Sequence, residues 1–189
     1  YYRNPILDPG KSCGSSGGWE PGGICGYYDY EQIHDDLAMH AAMVYDFAFD
    51  YLSRHPHAHL MEIGKDTKSV AVEVFKRFIN IGLVRGGKSG NWNVNGWNMM
   101  LRPVLVLDSD EAYPDGKGKE YYLNLLVNES TPYHDAIPDM LKTYDPVTGL
   151  WPESPGYSFG TIQMLLDWAA PLKRAGIDII AGNPILQKA

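Results

Sequence analysis

Along most of this chain, apolar residues return at steps of three and four, and no run alternates apolar with polar over a strand's length. Such spacing puts one greasy stripe on a helix, so the elements predicted are helices. The first starts at Asp29, where Asp29 and Gln32 resemble a capping box, and its stripe is Ile33, Leu37, Ala41, Val44, Tyr45 and Ala48. A second covers Thr67 to Asn80, with Ala71, Val74, Phe75 and Phe78 on one face. A third covers Trp97 to Leu107, with Pro103 expected to kink it or mark a late first turn. The stretch Val104–Leu107 within it is the one ambiguous run. A fourth runs from Lys119 to Asn128, and a fifth from Tyr133 to Tyr144 with Ile137, Met140, Leu141 and Tyr144 inward. A sixth runs from Phe159 to Arg174 and is closed by Lys173, Arg174 and Gly176. The expected class is all-α, built from antiparallel helix hairpins.

Residues 1–28 break this pattern. Gly14, Gly17, Gly18, Gly22, Gly23 and Gly26, with Pro9 and Pro21, punctuate them too often for a helix or strand. They are expected to form an irregular segment in which Trp19, Tyr27 and Tyr28 pack over the domain or stack on sugar rings. Cys13 and Cys25 lie in the same segment, where a short disulfide loop would suit an oxidising compartment. The formal charge of −7 argues against a general nucleic-acid binder, which needs a basic face. It also disfavours a polyanionic ligand unless a cleft is locally positive; Arg77, Arg85, Lys88 and Arg102 are the candidates for that. No stretch is long and apolar enough to cross a membrane as a helix. Residues 176–189 read as a tail.

Two loops carry the chemistry. Gly90-Asn91-Trp92-Asn93-Val94-Asn95-Gly96-Trp97-Asn98 opens a helix. One asparagine there can cap it, but four exceed that need. Carboxamides interleaved with indoles suit a carbohydrate cleft, the ring stacking on a sugar face and the amide bonding hydroxyls or carboxylates. The second segment runs Gly149-Leu150-Trp151-Pro152-Glu153-Ser154-Pro155-Gly156-Tyr157-Ser158-Phe159-Gly160. Its prolines and glycines shape a rigid loop that leaves Tyr157 near a helix start. A phenol beside a helix N-terminus and a cation would have its ionised form favoured, as a general base requires.

Together the two segments resemble the heparinase II/III-like polysaccharide lyases. That family places an Asn-Trp-Asn run at the head of a helix that then turns apolar, as Met99, Met100, Leu101, Val104, Leu105 and Leu107 do here. Further on it carries a Trp-Pro-Glu loop ending in Tyr, matched by Trp151-Pro152-Glu153 and Tyr157. The resemblance spans roughly residues 29–175, with its specific part in the two motifs. It implies part of an (α/α) toroid and β-elimination on an acidic polysaccharide, without a cofactor or metal. A base takes the C5 proton of a uronate, the C4 oxygen leaves, and the C6 carboxylate must be neutralised.

Carried over, Tyr157 is the base or acid. For neutralising the carboxylate Asn91, Asn93 and Asn95 compete, with Asn95 favoured narrowly. Asn93, Trp92, Trp97, Asn98, Arg102, Trp151 and Glu153 bind substrate, Glu153 as an orienting group. The sequence departs from many relatives in having no histidine between His59 and His134. The family's toroid has more helices than the six read here and is followed by a β-sandwich domain, so this chain reads as part of a larger protein acting in the periplasm or outside the cell. Competing readings are a toroidal glycoside hydrolase pairing Glu153 with Asp35 or Asp36, and a non-catalytic sugar-binding array using the tryptophans. His55, His57 and His59 read as a polar inter-helix loop, and His34 and His134 as ordinary helix or terminus residues.

Overall fold

The computed structural model describes residues 37–85 and 90–188. The Gly-rich N-terminal segment, the two cysteines, the capping box, His34, Asp35, Asp36 and Lys88 lie outside the described residues. Seven α-helices occur among the described residues, and no strand: α1 Leu37–Arg54, α2 Ala58–Glu62, α3 Thr67–Arg85, α4 Gly90–Leu105, α5 Lys119–Val127, α6 Ile137–Met140 and α7 Pro155–Arg174. The fold class is all-α. No helix among the described residues is long and apolar enough to cross a membrane. The chain divides into two compact units, the first including 37–85 and Met99–Leu123, the second including 90–98 and 124–188.

In the first unit α1 packs against α3. The buried stripe of α1 is Ala38, Ala42 and Tyr45; of the expected stripe Tyr45 is buried, whereas Ala41 and Val44 face solvent. The reason is that α1 is apolar on two sides, so periodicity alone does not choose between them. Small Ala38 and Ala42 allow close approach. Tyr45 then meets Phe75 of α3 edge-on at 5.6 Å. Phe75, Phe78 and Ile79 form the buried face of α3, and Tyr122 is fully buried with its hydroxyl donating to Asn80 Oδ1 at 2.9 Å.

The connection into α5 is held by one carboxylate. Asp110 Oδ1 accepts the N–H groups of Gly118 (2.7 Å) and Tyr121 (3.0 Å), capping amides that the start of α5 leaves without helical partners. Glu120 returns the favour by accepting the Asp110 N–H at 2.9 Å. The turn closes so tightly that a Cβ on Gly118 would lie 2.6 Å from the Ser109 carbonyl carbon. Gly118→Ala is therefore expected to destabilise the chain by about 1–3 kcal/mol, as overpacking against backbone does. Thermal unfolding checks this, and an unchanged midpoint would contradict it.

In the second unit, Ile137, Met140, Leu141 and Tyr144 are all buried, as their spacing predicts. The helix holding them is shorter than expected: α6 is one turn, followed by a 3-10 turn at Leu141–Thr143. Residues 134–136 are non-helical because their backbone bonds elsewhere: Asp135 to the Asn93 side chain of α4, the His134 N–H to Thr131 Oγ1 and the Ala136 N–H to Ser130 Oγ. Helix α7 starts earlier than predicted, at Pro155, with proline in the first turn, where its missing N–H costs nothing. It buries Thr161, Leu165, Trp168 and Leu172, one stripe at helical spacing. The C-terminal stretch read as a tail contains a 3-10 helix at Pro184–Gln187 and buries Ile179 and Leu186.

Candidate functional site

The asparagine-tryptophan segment is helical from Gly90, seven residues before the predicted start at Trp97. The helix sorts its side chains into two stripes. Asn93, Trp97, Met100 and Val104 recur at helical spacing and are fully buried or nearly so. Asn91, Asn95 and Asn98 form an adjacent half-buried stripe in the second unit; Arg102, half-buried too, falls in the same helical register in the first. Trp92 is also half-buried.

The inward stripe is structural. Asn93 has no exposed surface, and its carboxamide pairs with the backbone of Asp135 as a neighbouring strand would. Its Nδ2 donates to Asp135 O at 2.9 Å, and its Oδ1 accepts the Asp135 N–H at 2.9 Å. Trp97, also with no exposed surface, donates its indole N–H to the same carbonyl at 3.1 Å. The expectation that Asn93 and Trp97 bind substrate is corrected: both groups are shielded from solvent and hold the 134–136 segment. His134, which the sequence presented as a terminus feature, is fully buried against this motif, its ring 5.5 Å from that of Trp97. A Cβ on Gly96 would come within 3.0 Å of the His134 ring, so glycine there makes room for it. His134 is thus packed beside the motif in space. Its separation from the motif hid it.

The second motif closes on itself. Trp151 is 4% exposed, lies edge-on to Tyr144 at 4.9 Å, and donates its indole N–H to Glu153 Oε2 at 2.8 Å. Ser158 Oγ donates to the carbonyl of Trp151 at 3.3 Å, tying the loop to α7. Trp151 is therefore a core anchor and not a stacking platform, correcting its expected role. Glu153 orients the loop through that indole. Tyr157 stands on the first turn of α7 with 61% of its surface exposed. Asn98 accepts the indole N–H of Trp168 at 3.0 Å, linking α4 to α7 within the second unit.

Two other phenols are poorly placed for base chemistry. Burial pushes Tyr122 and Tyr144 up to about 12, so both stay protonated and neutral near pH 7. The Tyr144 hydroxyl is buried without a hydrogen-bond partner. The exposed histidines keep local contacts: His55 stacks on Tyr51 with ring centres 4.1 Å apart, and His59 lies 3.4 Å from Glu62.

No family model, curated protein or solved structure matches the chain. The hydrolase's Glu153 carboxylate already bonds an indole, and its suggested partners lie outside the described residues. The sugar-binding array loses Trp97 and Trp151 to the core.

Proposed function

We propose that this chain is part of a polysaccharide lyase that cleaves uronate-containing glycans by β-elimination, with Tyr157 moving the proton and a carboxamide of Asn91 or Asn95 neutralising the uronate carboxylate. The observation that supports it most is the placement of Tyr157: a solvent-facing phenol on a rigid first turn, directly after a loop locked by Trp151 and Glu153. Asn91 and Asn95 belong to the same compact unit and keep partly open faces on α4.

In this reading the phenolate oxygen takes the C5 proton, the C4–O bond breaks as a C4=C5 double bond forms, and the protonated phenol can return the proton to the leaving oxygen. The carboxamide N–H groups stabilise the charge that builds on the C6 carboxylate. The two-sided apolar helix α1, with Met43, Val44, Phe47 and Tyr51 toward solvent, suits a place among further hairpins of an (α/α) toroid. The remaining toroid and a β-sandwich domain are the partners this reading supplies. A periplasmic or secreted location follows from the substrate class.

The test is an elimination assay on the full-length polypeptide carrying this chain, with heparan sulfate, alginate, hyaluronan and other acidic glycans. A lyase produces an unsaturated uronate that absorbs in the near ultraviolet. New reducing ends without that absorbance would mean hydrolysis, and binding without cleavage would mean a sugar-binding module; either defeats the proposal.

A further inference from the structure

Just ahead of Trp151, in the second unit, the backbone closes on itself. Asp145 Oδ1 accepts the N–H groups of Val147 at 2.9 Å and Thr148 at 2.7 Å. The Asp145 N–H donates to the Leu150 carbonyl at 2.8 Å, and the Gly149 N–H to the Asp145 carbonyl at 2.9 Å. Bonded both ways, the 145–150 turn moves as one piece. The C-terminal stretch 177–188 is seated on it at two places. Lys188 Nζ donates to the Pro146 carbonyl at 3.2 Å. Gly149 is buried with φ +72°, and a Cβ there would lie 2.8 Å from Lys188 Cβ and 3.0 Å from the Lys188 carbonyl carbon. Only glycine permits both that backbone conformation and that approach.

Beside this seat the fit is loose. A groove of about 470 Å³ lies between Pro138, Leu141 and Tyr144 on one side and Pro184, Ile185 and Lys188 on the other. Tyr144 is 3% exposed, and its hydroxyl is buried without a hydrogen-bond partner among the described residues. An orphaned hydroxyl counts against the closed arrangement and is relieved once water reaches it. The stretch is also thinly anchored. Ile179 and Leu186 are its buried apolar side chains. The bonds from Asn183 Nδ2 to the Ile179 carbonyl, 2.8 Å, and from the Ala181 N–H to Asp178 Oδ1, 3.0 Å, shape the stretch without fastening it to the turn.

Few buried anchors, a groove along one edge and an orphaned hydroxyl on its wall mark a segment that opens before the rest of the fold does. We propose that residues 177–188 are a strap latching the 145–150 turn, and that strap and turn open together while α4 and α7 stay folded. Trp151 follows the turn directly, so the latch governs how firmly the loop before Tyr157 is held. The opening itself does not depend on the elimination reading.

The experiment is native-state amide hydrogen exchange on the isotope-labelled chain, read by NMR. The Asp145, Gly149 and Lys188 amides are expected to share one level of protection, below that of Met100 in α4 and Leu165 in α7. Leu186→Ala removes a strap anchor without touching the turn, so it should speed exchange at Asp145 and Gly149 by about tenfold or more and leave Met100 and Leu165 unchanged. Tyr144→Phe removes only the orphaned hydroxyl, so it should slow exchange at the same turn amides by about fivefold or more. The proposal is overturned if the turn amides exchange no faster in Leu186→Ala, if they exchange only together with Met100 and Leu165, or if Tyr144→Phe does not slow them. Because the readout is exchange and not turnover, its failure is distinguishable from failure of the elimination assay.

Discussion

Tyr157→Phe is expected to lower elimination turnover by about 10²–10⁴-fold, the usual contribution of a positioned proton-transfer group. The substitution removes one oxygen from a side chain that is 61% exposed, so the fold has little to lose. Surface changes of this kind stay within about 0.5 kcal/mol of the parent. The discriminating result is therefore a collapse in kcat with an unmoved melting temperature and an unchanged affinity for the polymer. Asn91→Ala and Asn95→Ala, measured in the same assay, apportion the carboxylate role between the two half-buried amides. If Tyr157→Phe retains near-parental turnover, the phenol leaves the mechanism and the elimination proposal goes with it.

Asn93→Ala should behave in the opposite way, as a stability lesion. It deletes both bonds to the Asp135 backbone. The Asp135 carbonyl keeps the Trp97 indole N–H, but the Asp135 N–H is left buried without an acceptor. An orphaned donor costs about 1–3 kcal/mol, and the vacated volume adds to that, for a total of about 2–4 kcal/mol. For a chain of this size the melting temperature falls by roughly 5–15 °C. Circular dichroism on heating measures it. A normal melting curve combined with lost polymer binding would return Asn93 to the substrate-contacting set.

Those two substitutions show how far local pattern carries. Apolar spacing was enough to place helices and to pick Ile137, Met140, Leu141 and Tyr144 as inward, because one helical face is a property of neighbouring residues. It was also enough to single out both motifs, since glycine, proline, asparagine and tryptophan at that density mark shaped segments. It was not enough to divide the asparagines. Asn91, Asn93 and Asn95 look alike in sequence, and what sets Asn93 apart is its pairing with the Asp135 backbone, 42 residues away. The same contact helps explain why the predicted helix from Tyr133 shrinks to one turn: Asp135 finds its backbone partners on α4, and His134 and Ala136 theirs on Thr131 and Ser130, rather than along a helix. Tyr45 is a further case. Spacing marked both Val44 and Tyr45 as core, and only the packing of α1 on α3 chose Tyr45 and left Val44 to solvent.

By itself, then, the amino-acid order determined an all-α class, the inward residues around α6, and two distinct polar-aromatic segments. The tertiary structure decided which asparagine and which tryptophans serve the core, which side of α1 is covered, and where His134 goes. The physical reason is range. Helix formation and periodicity are written in contacts of three and four residues, whereas burial of a carboxamide or an indole is settled by partners dozens of residues away, whose positions exist only once the chain has folded.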